Sequence, residues 1–182
     1  GYIIKEYFAN YHLHMRDITI DIKTNQYTVH NNHAEDWKVT LVDTGDSTMT
    51  GGRLKRLKDY LKDEEVFCMT YGDGVANIDL KAVIDLHQQQ GRLSTVTAVQ
   101  PAGRFGAIDA TGNKVNHFQE KPKGDGAWIN GGFFVLSPKV IDYIDDDATI
   151  WEQQPMQNLA QDDQMSCYFH HDFWQPMDTL RE

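Results

Sequence analysis

The sequence lacks the features that mark membrane and secreted proteins. No apolar run approaches the roughly 18 residues needed to cross a bilayer, and the amino terminus has no signal-peptide pattern. Only two cysteines, Cys68 and Cys167, occur among the 182 residues. Each lies inside an apolar, strand-like run, so we expect buried and reduced thiols in a cytoplasmic protein, with a disulfide as the alternative.

Basic residues are also few. Lysine and arginine total 17 against 27 aspartate and glutamate residues, which gives a formal net charge of −10. This balance argues against binding of nucleic acid polymers, which requires a basic face. An anionic ligand would therefore need a divalent cation held by carboxylates, or local positive charge from a small set of basic side chains: Arg53, Lys55, Arg56, Arg104, Lys121 and Lys123.

The remaining composition is typical of a globular protein. Hydrophobic residues make up 40% of the chain, and its length suits one domain over residues 1–182. Predicted strands alternate with predicted helices, which indicates an α/β fold with a mostly parallel sheet and attached antiparallel hairpins. The pattern predicts strands at 66–70, 93–99, 129–136 and 165–170, helices at 53–61, 79–90 and 151–161, and hairpins at 17–30 and 105–120.

A Glu-Lys pair and a Gly-Gly pair are the most informative local features. Lys121 carries a compact charge suited to a phosphate, and Glu120 beside it can accept hydrogen bonds from sugar hydroxyls. Gly131 and Gly132 interrupt a strand-like run, as they would where a ligand or a neighbouring chain needs the space. These features favour a site for a phosphorylated sugar. The alternatives are a solvated surface pair and a β-bulge.

Two aspartates are candidate metal ligands. Asp73 directly follows an apolar strand and lies between two glycines, and ligands of α/β sheets bind beyond the carboxyl ends of strands. Asp178 lies in an aromatic and proline-containing segment near the end of the chain. Together they could hold Mg²⁺ better than either could alone. The alternatives are an aspartate in a Gly-Asp-Gly turn and the N-cap of a further helix.

The polar loop at 44–53 gives a weaker signal. Its hydroxyls and glycines precede a helix, whose N-terminal N–H groups could cradle a phosphate or ribose. Arg53 would add a fork of donors. An ordinary surface loop is the alternative, since the loop is not a Walker A sequence. The eight histidines lack the spacing of a zinc site.

Five short motifs follow one another along the chain: Tyr71-Gly72-Asp73-Gly74, Gly103-Arg104-Phe105-Gly106-Ala107, Phe118-Gln119-Glu120-Lys121-Pro122, Asn130-Gly131-Gly132-Phe133-Phe134 and Phe173-Trp174-Gln175-Pro176-Met177-Asp178-Thr179. In this order they resemble the sugar-phosphate nucleotidylyltransferases. Residues 42–45 and 50–56 are similar to the cytidylyl branch of that family. The resemblance covers essentially the whole chain.

The resemblance implies a Rossmann-like, GT-A-like fold, with a mixed, mostly parallel sheet and helices on both faces. It implies that CTP and glucose 1-phosphate react, with Mg²⁺, to give CDP-glucose and pyrophosphate for bacterial deoxysugar and lipopolysaccharide O-antigen synthesis, and that the protein is a homo-oligomer. The catalytic residues implied are Asp73, Lys121 and Asp178, of which the two aspartates hold Mg²⁺. The substrate-binding residues implied are Thr48, Arg53, Gly72, Gly106, Glu120, Lys121, Asn130 and Gly131.

The chain also departs from the family pattern. The family's glycine-rich Gly-Gly-x-Gly-Thr-Arg loop, a downstream lysine and a C-terminal tail have no counterpart in this sequence. We therefore expect an N-terminally truncated catalytic core, whose first strand is missing and whose sheet edges are exposed. Two further hypotheses stay open: a non-catalytic remnant that binds a sugar phosphate or acts in interactions, and a metal-dependent glycosyltransferase.

Overall fold

The computed structural model describes residues 1–30, 35–101, 103, 106–120 and 127–180, with only the backbone of His12. The chain divides into two compact units, one over residues 1–45 and one over residues 46–182. The assignment of all 182 residues to one domain stays a prediction. No helix in the described parts of the chain is long and apolar enough to span a membrane.

The first unit contains two short helices and one hairpin. The helices are α1 (Tyr2–Ala9) and α2 (Tyr11–Met15), and the strands are β1 (Ile18–Asp21) and β2 (Gln26–Val29). The strands pair antiparallel, so the predicted hairpin is confirmed. Its turn forms because an Asp21 carboxylate oxygen accepts hydrogen bonds from the N–H groups of Lys23 and Thr24, at 2.9 and 3.2 Å.

The second unit alternates helices and strands along the chain. Its described helices are α3 (Thr50–Arg56), α4 (Lys58–Leu61), α5 (Leu80–Gln90), α6 (Gln154–Gln161) and a 3-10 helix (Pro138–Tyr143). Its described strands are β3 (Phe67–Thr70), β4 (Gly74–Ala76), β5 (Ser94–Val99), β6 (Ala107–Thr111), β7 (Lys114–Gln119), β8 (Ile129–Leu136), β9 (Met165–His170) and β10 (Trp174–Pro176). The short strand β10 lies where the sequence predicted the approach to a further helix.

The central sheet has the strand order β3-β8-β5-β9. Strand β8 is antiparallel to both β3 and β5, and β5 and β9 are parallel. Strands β3, β5 and β9 therefore run in one direction and β8 runs against them, so the described sheet is mixed and mostly parallel, as expected. Strand β8 is reversed because the described chain between β5 and β8 contains the β6–β7 hairpin and no crossover helix, and a parallel neighbour requires such a crossover.

Helices cover both faces of this sheet, as predicted. On one face, Phe134 and Leu136 pack with Trp151, which is 1% exposed, in the main hydrophobic core. On the other face, α5 buries Val83 and His87. The ends of α5 follow from its sequence, because the Asp79 carboxylate accepts from the N–H of Ala82 at 3.0 Å and Gly91 ends the helix at φ +64°.

The two cysteines are free, as expected, but they are exposed and not buried. Each lies on an edge strand of the described sheet, Cys68 on β3 and Cys167 on β9. Cys68 pairs with Val135 and Cys167 pairs with Val96, and these two valines lie in adjacent rows across the sheet. Side chains in adjacent rows project to opposite faces, so the two cysteine side chains do as well. This geometry excludes the disulfide. Partial desolvation still raises the pKa of both thiols.

Candidate functional site

A cavity of about 450 Å³ opens at one end of the central sheet. It lies just beyond the carboxyl ends of β3 and β5, where the chain reaches Asp73 and Pro101, and beside the first residues of β8. Ligands of α/β sheets bind at this position. The wall combines two carboxylates, one amide, two aromatic rings and three glycines, and the predicted catalytic, metal-binding and substrate-binding residues among them are Asp73, Asn130, Gly131 and Asp178.

The pairing of β4 with β10 brings the two aspartates to this cavity. Gly74 lies opposite Pro176 in the antiparallel ladder. One step further, the N–H of Met177 donates to the carbonyl oxygen of Asp73 at 2.7 Å. Asp73 and Asp178 therefore line one cavity although 105 positions separate them in the sequence (178 − 73).

The donor set of the cavity fits a hard divalent cation. Mg²⁺ is commonly held by one or two carboxylates, with water and substrate phosphate completing its shell. Asp73 and Asp178 supply two such carboxylates, both on exposed residues that water and phosphate can reach. No cluster of three or more metal-ligating side chains occurs in the described residues.

The described wall of the cavity carries negative charge. Among the described lining residues, two are aspartates and none is lysine, arginine or histidine. A phosphate that entered would meet negative charge unless a cation or a basic group from elsewhere accompanied it. Arg104, Lys121 and Lys123, the predicted basic residues nearest in sequence to this region, lie outside the described residues.

The glycine pair of β8 is a β-bulge, which was the alternative to close ligand approach. A Cβ at Gly131 would lie 2.8 Å from a methyl carbon of Val99 and 3.0 Å from the carbonyl oxygen of Thr97. A Cβ at Gly132, where φ is +76°, would lie 2.7 Å from the ring of Tyr71. Neighbouring protein atoms therefore account for both glycines, and a substrate contact of Gly131 stays a prediction.

The bulge nevertheless shapes the cavity. The pairing of β5 with β8 shifts between the Val96–Phe134 and Ala98–Asn130 pairs. The side-chain oxygen of Asn130 accepts the N–H of Gly132 at 2.9 Å, and the indole N–H of Trp174 donates to the carbonyl of Gly131 at 2.8 Å. These bonds fix the Asn130 amide at the cavity wall.

A hydrogen-bond network behind the cavity was not predicted. The Tyr71 hydroxyl donates to the Glu152 carboxylate, and the Thr50 hydroxyl donates to the same carboxylate at 2.7 Å. Burial first, and then the bond to Glu152, raise the pKa of the Tyr71 hydroxyl, which keeps it protonated as a donor. Sequence patterns could not reveal this contact, because 81 positions separate Tyr71 from Glu152.

The loop before α3 does not offer the free N–H groups that a phosphate cradle needs. The N–H of Met49 donates to Asp147 O at 2.9 Å, and those of Gly51 and Gly52 donate to Thr149 O at 3.0 and 3.2 Å. A Cβ at Gly52 would lie 2.5 Å from the Asp147 carbonyl oxygen. The glycines therefore allow this loop to pack against residues 147–149, and the cradle interpretation is wrong for these three groups.

Thr48 and Arg53 are not among the described residues that line the cavity. Thr48 is buried, at 6% exposure. Arg53 is exposed and donates from its guanidinium to the carbonyl of Asp46 at 3.3 Å. A contact of either residue with a nucleotide stays a prediction.

The remaining predicted residues lie near the cavity in sequence but outside its described wall. Gly72 directly precedes Asp73, and an added Cβ there would meet nothing within 4 Å. Gly106 and Glu120 face each other across the open end of the β6–β7 hairpin, where a Cβ at Gly106 would lie 3.1 Å from a Glu120 carboxylate oxygen. Lys121 lies outside the described residues, so the structure does not test its predicted place beside the two aspartates.

The sequence of this chain is similar to those of known nucleotide-transferring enzymes. Residues 12–177 match the family described as "Nucleotidyl transferase". The chain is 61% identical to the glucose-1-phosphate cytidylyltransferase of Salmonella typhimurium and 42% identical to the probable glucose-1-phosphate cytidylyltransferase of Bacillus subtilis, over all 182 residues in both cases. It spans 71% and 70% of these relatives, respectively. A mannose-1-phosphate guanyltransferase of Saccharomyces cerevisiae is 33% identical over 142 residues, which are 72% of this chain and 39% of the relative.

Solved structures confirm the fold class. A putative glucose-1-phosphate thymidylyltransferase from Bacillus anthracis, in complex with a sucrose, superposes with a TM-score of 0.54 at 15% identity over 75% of this chain and 59% of its own. HddC from Yersinia pseudotuberculosis, complexed with GMP-PN, superposes with a TM-score of 0.52 at 19% identity, over 74% of this chain and 59% of its own. The predicted α/β nucleotidyltransferase fold is therefore correct.

Proposed function

The chain belongs to the nucleotidyl transferase family, and we propose that it transfers a cytidylyl group from CTP to glucose 1-phosphate, with CDP-glucose and pyrophosphate as products. The observation that carries this proposal is the 61% identity to a glucose-1-phosphate cytidylyltransferase over all 182 residues. The cavity supports it, because two carboxylates and an amide converge where the fold places ligands.

The reaction is a displacement at phosphorus. A phosphate oxygen of glucose 1-phosphate forms a bond to the α-phosphorus of CTP, the bond from that phosphorus to the bridging oxygen breaks, and pyrophosphate leaves with the electron pair. No covalent nucleophile from the protein is needed, so the protein contributes position and charge. Bound Mg²⁺ would neutralise phosphate charge at the reacting centre.

The residues of this chain would act as follows. Asp73 and Asp178 would hold the cation at one end of the β4–β10 ladder, where Asp73 precedes β4 and Asp178 follows β10. The Asn130 amide, fixed by its bond to the Gly132 N–H, would meet a sugar hydroxyl or a phosphate oxygen. Trp174, anchored by its indole N–H, would form an apolar wall that limits the access of water.

The remaining roles rest on the family resemblance. Lys121 would bind the sugar phosphate, Glu120 would bind sugar hydroxyls, and Gly72 and Gly106 would leave room for substrate. Thr48 and Arg53 would contact the nucleotide. We also propose a homo-oligomeric, cytoplasmic enzyme that supplies CDP-glucose for bacterial deoxysugar and O-antigen synthesis. Two free cysteines suit a reducing compartment.

Pyrophosphate release tests the proposal. The 182-residue protein is incubated with CTP, glucose 1-phosphate and Mg²⁺, beside the variants Asp73→Asn and Asp178→Asn. We expect CDP-glucose and pyrophosphate in equal amounts, and a loss of roughly 100-fold or more in rate for each variant, as for removal of charge stabilisation at a reacting centre. Asp142→Asn is the control, since Asp142 is an exposed carboxylate on the 3-10 helix, outside the cavity wall.

Three outcomes separate the hypotheses. Turnover that depends on both aspartates supports the proposal. Binding of glucose 1-phosphate without turnover indicates a binding protein of the same fold. Turnover that survives both substitutions would show that the cation is held elsewhere and would contradict the roles given to Asp73 and Asp178.

A further inference from the structure

One carboxylate behind the cavity joins three separate segments of the chain. Glu152 accepts one hydrogen bond from the Tyr71 hydroxyl and one, at 2.7 Å, from the Thr50 hydroxyl. The Thr50 oxygen in turn accepts the backbone N–H of Trp151 at 2.9 Å. A carboxylate only accepts hydrogen bonds, so the Thr50 proton points to Glu152. Both Glu152 oxygens therefore receive a donor.

Tyr71 connects this carboxylate to the cavity. Its ring lines the cavity and lies 2.7 Å from the position that a Cβ on Gly132 would take, so it packs directly against the bulge of β8. Its backbone N–H donates to the carbonyl of Gly132 at 3.3 Å. Its ring contacts the ring of Phe134 edge to face, with 5.9 Å between the two ring centroids. Tyr71 lies two positions before Asp73, so its placement fixes where the chain carries that aspartate.

We infer that Glu152 is a positioning residue, which holds Asp73 in its place at the cation site by fixing the hydroxyl of Tyr71. The inference rests on the proposed cation-binding role of Asp73 and adds to it a residue that does not line the cavity. Without the Glu152 carboxylate, the Tyr71 hydroxyl loses its acceptor while half-buried, and such a group is costly to leave unpaired. Tyr71 would then shift, and Asp73 would shift with it.

Substitutions that preserve shape can separate this role from simple packing. Tyr71→Phe keeps the ring against Gly132 and removes only the donor. Glu152→Gln keeps the size of the side chain and replaces one acceptor oxygen by a donor group. Thr50→Ser keeps the second hydroxyl and serves as the conservative variant. Tyr143→Phe is the matched control, because it also removes a hydroxyl that donates to a carboxylate, that of Asp162, at 3.0 Å. Tyr143 lies on the 3-10 helix and does not line the cavity.

The experiment measures Mn²⁺ binding to the full 182-residue protein, from the electron paramagnetic resonance signal of free Mn²⁺, with no nucleotide present. We expect Tyr71→Phe and Glu152→Gln each to raise the Kd for Mn²⁺ by about fivefold, as for loss of one hydrogen bond. The double variant should bind no more weakly than either single variant, because both remove the same bond. Thr50→Ser and Tyr143→Phe should bind as the native protein does.

The outcomes distinguish this inference from the proposed function. If the native protein binds Mn²⁺ and Asp73→Asn does not, the cation site stands; equal affinity of Tyr71→Phe and the native protein would then overturn only the role of Glu152. If the native protein binds no Mn²⁺, the cation site and this inference fail together. Circular dichroism verifies that each variant is folded, and Tyr71→Phe carries the test if Glu152→Gln does not fold.

Discussion

His87 shows how a single residue can link pH to the stability of this fold. It lies on α5, is 4% exposed, and its Nδ1 is 2.9 Å from the Thr95 hydroxyl oxygen on β5. Burial lowers the pKa of His87 from its ordinary value of 6.5. The folded protein therefore holds a neutral imidazole at pH values where the unfolded chain binds a proton.

The sign of the effect follows from proton linkage. Below pH 6.5 the unfolded state binds more protons at this position, so the free energy of unfolding falls as the pH decreases. Above that pH the contribution is fully present. We expect urea unfolding to show this loss as the pH falls below 6.5, with a slope from this one group of at most about 1.4 kcal/mol per pH unit.

The substitution His87→Gln should make that pH dependence shallower, since glutamine does not titrate. His171→Gln, which changes an exposed histidine, is the control and should leave the dependence close to that of the native protein. An unchanged slope in His87→Gln would show that other groups cause the acid sensitivity.

At the residue scale, the sequence predicted Asp73 and Asp178 at one site because each has a local signal. A strand end between glycines predicts the first, and an aromatic and proline-rich segment singles out the second. Glu152 has no such signal, since an acidic residue near a helix start is ordinary. Its function depends on a hydroxyl 81 positions away, and only the folded chain brings the two together.

At the scale of elements, the bulge of β8 determines the shape of the cavity. Gly132 has φ +76° and lies against the Tyr71 ring, so an alanine there would be strained twice, by its backbone angle and by its methyl group. Gly91 at the end of α5 has φ +64° but nothing within 4 Å of its added Cβ. The two glycines thus separate backbone strain from steric conflict.

We expect Gly91→Ala to lower the free energy of unfolding by about 1 kcal/mol, from backbone strain alone. Gly132→Ala should cost more, about 2–4 kcal/mol, because the Tyr71 ring must also move. Urea denaturation at neutral pH measures both values. Equal costs would mean that the ring yields freely and that Tyr71 does not hold the bulge.

The elements also show which patterns misled. Thr50-Gly51-Gly52-Arg53 has the composition of a phosphate-binding helix start, yet its glycines accommodate the backbone of residues 147–149. A glycine needed for close approach looks the same in sequence whether the neighbour is a ligand or another strand. The Gly131-Gly132 pair was ambiguous for the same reason.

At the scale of the whole molecule, the alternation of strands and helices was sufficient to predict the α/β class. It was not sufficient for the direction of β8, because an apolar run of that length fits a parallel or an antiparallel neighbour equally well. The β6–β7 hairpin was itself predicted, and it replaces the crossover helix that a parallel β8 would need. The direction of β8 therefore depends on the connection between β5 and β8. The hydrophobic pattern within a strand carries no information about that connection.

Charge at this scale leads to a last prediction. The chain carries a net charge of −10, and the described wall of its cavity holds two carboxylates and no basic side chain. A doubly charged phosphate should therefore bind only together with a cation. We expect calorimetry to give a Kd for glucose 1-phosphate at least about tenfold larger in EDTA than with Mg²⁺, a difference of about 1.4 kcal/mol in binding free energy.

Two variants identify the source of that dependence. Asp73→Asn should bind glucose 1-phosphate weakly with or without Mg²⁺, because the cation then has lost a ligand. Lys121→Ala should weaken binding in both conditions while keeping the ratio between them, since its charge would act beside the cation and not through it. If EDTA leaves the native affinity unchanged, the phosphate is neutralised by basic residues alone, and the two aspartates have another purpose in this fold.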